Sequence, residues 1–216
     1  MLNIFMIEDG RYLIISLSGR TGSTLITALL NEYYCHKFQS MNDIFFEQTY
    51  SNQISIPTEL PNDKFIFKIH DLKLFSYVRK HEDLVLIHST RNYFDQMISL
   101  YVSEKTNIWS APTIGFDDNR YNSLVPFDIP PGEFFRRINK CRRLNDDFSD
   151  ITKMYNVYSI DYDSISNNYN KVYEILDIDF RLNQNYRPFI KKTPVNYRYF
   201  IINYDELNET YTKLYQ

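Results

Sequence analysis

The chain has 216 residues, which suits one domain with a sizeable core, and its 24 basic and 27 acidic residues leave a net charge of −3. That balance excludes a general nucleic-acid binder, so a polyanionic ligand has to be held by local basic groups. Two cysteines, Cys35 and Cys141, exclude a disulfide framework or a zinc knuckle and fit a reducing, cytoplasmic setting. No basic-then-apolar leader and no apolar run near the roughly 18–20 residues of a membrane span is evident, so a soluble chain is expected.

Residues 1–11 read as a lead-in, with an edge strand or a turn at Glu8-Asp9-Gly10. Residues 12–17, YLIISL, are apolar throughout and predict a buried parallel strand. A polar turn, SGRTGS, follows at 18–23, and 24–30 resumes helical spacing with Leu25, Ala28 and Leu29 on one face. Residues 36–39 predict a short second strand, and 51–63, with Pro57 and Pro61, a loop. Strands are expected at 65–70 and 83–88, with a helix at 72–80 between them. A helix over 92–105 puts Phe94, Met97, Ile98 and Tyr101 on one face. Residues 107–132 carry four prolines and the single Trp109, a loop long enough to be functional or mobile. A long helix at 133–155, a strand at 157–161, a helix at 168–176, a basic irregular stretch at 187–198 and a helix at 204–214 complete the chain. Strands alternating with helices predict an α/β fold: a single domain whose central parallel β-sheet is flanked by helices.

Strand, glycine turn and helix start at 12–30 together predict an anion cradle. The first N–H groups of a helix have no intrahelical partner and face whatever the turn holds. Gly19 and Gly22 permit the backbone such a turn needs. Thr21, Ser23 and Thr24 add hydroxyls, and Arg20 a fixed positive charge. The nucleotide P-loop pattern GxxxxGK[ST] fails here, because Ser23 stands where its lysine belongs and no glycine lies five residues before Gly22.

Three further constellations stand at strand ends. Arg91 follows the strand at 83–88, and Ser99, eight residues on, returns to the same side of the next helix. A guanidinium fork and a hydroxyl converging on one point suit a phosphate, while a capped carboxylate and a solvated serine are the plain alternative. Strand alternation puts Lys68 and His70 on one side at the end of 65–70, where ligands of such sheets bind. Tyr162 follows the strand at 157–161. The basic run Arg136, Arg137, Lys140, Arg142 and Arg143 reads as a solvated helix face or a docking site for an acidic acceptor. His36, His81 and His88 read as structural or exposed.

Residues 20–24, RTGST, resemble the 5′-phosphosulfate loop of the sulfotransferases, written P-[KR]-[ST]-G-[ST]-T, with Gly19 in place of its proline. That resemblance, to P-loop-type sulfotransferases that use PAPS (3′-phosphoadenosine 5′-phosphosulfate), extends in family order over most of the chain. It implies a P-loop-like topology and sulfuryl transfer to a hydroxyl or amine without a metal. By it, Arg20, Thr21, Gly22, Ser23 and Thr24 hold the 5′-phosphosulfate, and Arg91 with Ser99 the 3′-phosphate, although the R-[DN]-P turn is here Arg91-Asn92-Tyr93. Lys68-Ile69-His70 resembles the K-x-H of the cytosolic enzymes, which implies His70 as base and Lys68 as a contact to the transferring group. Asp43, in a segment similar to G-E-[LI]-F, is the rival base. Tyr162-Asp163-Ser164-Ile165 resembles Y-E-[DS]-L, implying a tyrosine near the adenine, and 171–177, KVYEILD, a helix that ends F-L-G in the family. Lys191 and Lys192, ahead of Ile202-Asn203-Tyr204-Asp205-Glu206-Leu207, resemble a C-terminal pattern and imply cations that close over the nucleotide. The expected partner is a small-molecule or carbohydrate acceptor, with Trp109 and Phe116 near it, and no nucleic acid. An ATP-dependent kinase and a non-catalytic nucleotide-binding module are the rivals.

Overall fold

The computed structural model describes residues 11–38, 45–47, 65–70, 84–107, 125–153, 155–183 and 197–216. They fall into two compact units, Met1–Arg91 with Leu144–Tyr186 and Asn92–Arg143 with Arg187–Gln216.

The first unit is built on five parallel strands, β1 (Arg11–Ile15), β2 (Phe45–Glu47), β3 (Phe65–Ile69), β4 (Val85–Thr90) and β5 (Val157–Asp161), in the order β2-β3-β1-β4-β5. Alternation along β1 sends Tyr12 and Ile14 to one face and Leu13 and Ile15 to the other, all fully buried. Helix α1 (Ser23–Phe38) covers the first face with Ile26, Leu29, Leu30, Tyr33 and Tyr34. Ile165, Val172, Tyr173 and Leu176, from the chain after β5, complete that layer. The opposite face packs Leu13, Ile15, Phe67 and Leu86 against Phe148. Each such side chain, fully buried, is worth roughly 1.5–3 kcal/mol over its exposed state.

The strands predicted from apolar runs are present, and that at 157–161 has the predicted bounds. Two expectations are corrected. Residues 36–38 are not strand: α1 runs on to Phe38, because no glycine or proline interrupts it and Tyr33 and Tyr34 continue its buried stripe. The buried stripe is Ile26-Leu29-Leu30-Tyr33-Tyr34; of the face Leu25, Ala28 and Leu29 read from sequence, Leu29 is fully buried, and Leu25 and Ala28 are half-buried. Strand β4 also reaches two residues past His88, which matters below. The expected helix at 72–80, the loop at 51–63 and most of 107–132 and 187–198 lie outside the described residues.

After β5 come two short helices, α4 (Tyr162–Ser166) and α5 (Lys171–Ile175). They are numbered after α2 (Tyr93–Thr106) and α3 (Pro131–Ile151). Helix α5 ends with Asp177 at φ +53°, while Ile178 N–H donates to the Tyr173 carbonyl at 2.9 Å and Asp177 N–H to that of Glu174 at 3.3 Å. This paired closure normally uses glycine at the left-handed position. Asp177→Gly is therefore expected to raise stability by about 1 kcal/mol, read from urea midpoints at unchanged slope.

His88 is buried on the Phe148 face of the sheet. Its Nε2 donates to Asn145 Oδ1 at 2.8 Å, and its ring centroid lies 4.7 Å from that of Phe148. Burial pushes its pKa below the ordinary histidine range, against the smaller opposing effect of the Asn145 bond. A histidine kept neutral by the fold gives stability that is complete above its unfolded pKa of about 6.5 and is lost as pH falls through the lowered folded value. Urea midpoints at about pH 7.5 and about pH 5 should differ more for the wild type than for His88→Gln.

In the second unit, α2 carries Phe94, Met97, Ile98 and Tyr101 into a core with Phe134 and Ile138 of α3 and with Leu207 and Tyr211 of helix α6 (Tyr204–Tyr215), so the predicted face of 92–105 is the buried one. Asn92 caps α2, its Oδ1 accepting from Phe94 N–H at 2.9 Å and from Asp95 N–H at 3.3 Å. The Asn203 side chain pairs with both backbone groups of Ile129, at 3.0 and 2.8 Å. No helix among the described residues is long and apolar enough to cross a membrane.

Candidate functional site

The turn between β1 and α1 has an unusual backbone. Ser18, Gly19 and Arg20 are consecutive left-handed residues, with φ of +62°, +70° and +60°, and Gly22 follows at +85°. For Ser18 and Arg20 this conformation costs roughly 1–2 kcal/mol each. Such strain persists only where the surroundings fix it, and here they do. Ser16 and Thr21 share a hydroxyl–hydroxyl bond of 2.6 Å, both buried. Ser89, at the end of β4, donates its hydroxyl to the Thr21 carbonyl at 2.7 Å, and Arg91 Nη1 donates to the Arg20 carbonyl at 3.4 Å. The Gly22 carbonyl accepts from the N–H groups of Leu25 and Ile26, so those of Ser23 and Thr24 come before the helical ladder begins.

Lys68 and His70 stand at the same edge. Lys68 is 1% exposed and reaches the first turn of α1, where its Nζ donates to Thr24 Oγ1 at 3.2 Å. His70 places Nδ1 at 2.8 Å from the Ser16 carbonyl. A carbonyl only accepts, so Nδ1 carries the proton, and in the neutral ring Nε2 keeps a lone pair.

From the other side, the Arg91 guanidinium lies over the Tyr162 ring, 4.5 Å from its centroid. Its Nε is buried and has no hydrogen-bond partner. Tyr162 opens α4, which Asp161 caps through bonds of 3.0 and 3.4 Å from Asp163 and Ser164 N–H to Oδ1. The Tyr162 ring meets Gly22 with its Cδ2 edge: a Cβ there would run into Cδ2 and lie 3.2 Å from Cε2 and from Cγ.

No protein-family model, no curated protein and no solved structure matches this chain.

Of the residues singled out from sequence, Arg20, Thr21, Gly22, Ser23, Thr24, Lys68, His70, Arg91 and Tyr162 all lie in the first unit, around the carboxyl ends of β1, β3, β4 and β5. Ser99 is fully buried in mid-α2, in the second unit, and its carbonyl takes the Ser103 hydroxyl at 2.8 Å. Asp43, Lys191, Lys192, Trp109 and Phe116 lie outside the described residues. Sequence reasoning passed over Ser16, Ser89 and Asp161, of which the two serines end apolar strands and so gave a faint polar signal. Among the described residues, no group of three or more His, Cys, Asp or Glu is placed to hold a metal ion. On α3, Arg136 and Arg137 both bond Glu133, and Arg137 also bonds Glu104 at 2.9 Å. These bonds hold the Glu133 carboxyl down at about 2, so this part of the basic run is an ion-paired helix face.

Proposed function

We propose that this chain is a sulfotransferase that moves a sulfuryl group from PAPS to an acceptor hydroxyl or amine. The observation that carries the reading is a strained glycine turn with helix-start donors beside a buried lysine, a guanidinium with an open donor and a histidine whose Nδ1 is held by the Ser16 carbonyl. The residues fit a doubly anionic ligand. The N–H groups at the start of α1, with Arg20 and Lys68, suit a 5′-phosphosulfate, and the unsatisfied Nε of Arg91 suits a second phosphate.

PAPS supplies a sulfuryl group on a good phosphate leaving group. His70 Nε2 takes the proton from the acceptor as the acceptor–sulfur bond forms and the sulfur–oxygen bond to the phosphate breaks. Adenosine 3′,5′-bisphosphate leaves with that electron pair. Donors fixed around the turn favour the charge that builds on the bridging oxygen. Asp43 is the alternative base. The two free cysteines, Cys35 and Cys141, accord with a reducing, cytoplasmic setting.

Phosphoryl transfer from ATP competes on one observation, since Lys68 brings an amine to the helix start, where a P-loop lysine would serve. Labelled sulfate from PAPS, offered to carbohydrate, phenol and lipid pools, tests the proposal. Transfer to one pool is expected. No transfer, with ATP bound in preference to adenosine 3′,5′-bisphosphate, would favour the kinase.

A further inference from the structure

We infer that Ser89 is a positioning residue that aims the Gly22 N–H into the anion cradle. In a trans peptide the carbonyl of one residue and the N–H of the next point in opposite directions. The Thr21 carbonyl is held by the Ser89 hydroxyl at 2.7 Å, so the Gly22 N–H points away from Ser89 and β4. The Arg20 carbonyl is held from the same side by Arg91, so the Thr21 N–H turns likewise. Strand β1 lies between β4 and β3, so both N–H groups face the β3 side, which carries Lys68 and His70. Ser89 is 1% exposed and touches the turn through a backbone atom, so its effect passes through the peptide plane. Ser16 holds the side chain of the same threonine through its hydroxyl, at 2.6 Å.

The inference rests on the reading of this turn as an anion cradle, though not on the reaction proposed for it. The test follows the amide ¹H–¹⁵N signals of Thr21 and Gly22 during titration with inorganic sulfate, then with adenosine 3′,5′-bisphosphate. In the wild type both signals should move and saturate. Ser89→Ala should lose most of the Gly22 movement and bind about ten-fold more weakly or worse, and Ser89→Thr, which keeps the hydroxyl, should restore both. A loss of thermal stability without change in these signals would reduce Ser89 to a packing role and overturn the inference. So would a Ser89→Ala protein whose Gly22 signal moves as in the wild type, or a wild type whose two signals ignore both anions. If Ser89→Ala does not fold, Ser89→Cys, of similar shape and a weaker donor, takes its place under the same expectations. A sulfate response lost in Ser89→Ala, with nothing added by the bisphosphate, would uphold Ser89 and sink the sulfuryl-transfer proposal alone.

Discussion

Gly22→Ala is expected to destabilise the protein by about 3 kcal/mol, the sum of two costs acting at one atom. The backbone at Gly22 has φ +85°, which an L side chain adopts only with strain. The added methyl would also meet the Cδ2 edge of the Tyr162 ring, whose face is covered by the Arg91 guanidinium. The two costs separate in a double-mutant cycle. Tyr162→Ala removes the obstacle, so in that background Gly22→Ala should retain only the backbone part, roughly 1–2 kcal/mol. Urea denaturation of the four proteins measures both. An equal loss in the two backgrounds would mean that the ring does not sit on the turn, and a Gly22→Ala protein that unfolds at the wild-type urea concentration would contradict both costs.

His70 carries the second large effect. His70→Ala should lower kcat about 10²- to 10⁴-fold. His70→Asn is the sharper variant, because its side-chain amide can still donate to the Ser16 carbonyl but has no basic nitrogen. It should be as slow as the alanine variant, and the acid limb that an imidazole base imposes on kcat/KM should disappear. Full turnover in His70→Asn would shift the base to Asp43, and the double variant with Asp43→Ala would then be the slow one.

The sheet was legible because its strands are short apolar runs bounded by polar turns. Residues 157–161, between Asn156 and Tyr162, came out with their true bounds. The order of those strands was not legible, since β1 pairs with β3 and β4 through contacts far apart in sequence. Helix α1 was read too short because residues 31–34 looked like the end of its apolar face, whereas Tyr33 and Tyr34 continue the buried stripe one turn on. The site divides in the same way. Glycines, Arg20 and the Lys68–His70 alternation follow from local rules of turn and strand. Ser16 and Ser89 gain meaning only from register: Ile15 pairs with His88, so the next residues along both strands flank the turn side by side. A lone serine closing an apolar strand carries no such information in one dimension. Asp177 shows the reverse case, a left-handed helix end at which no glycine in the sequence marked the position.

The most direct measurement is calorimetric titration of the wild type and of Arg20→Ala with adenosine 3′,5′-bisphosphate, 5′-AMP and ATP. The account expects the bisphosphate to bind tightest, 5′-AMP to lose affinity for want of the second phosphate, and Arg20→Ala to weaken binding at least about ten-fold. Equal affinity for the bisphosphate and 5′-AMP, or heat from ATP alone, would contradict it.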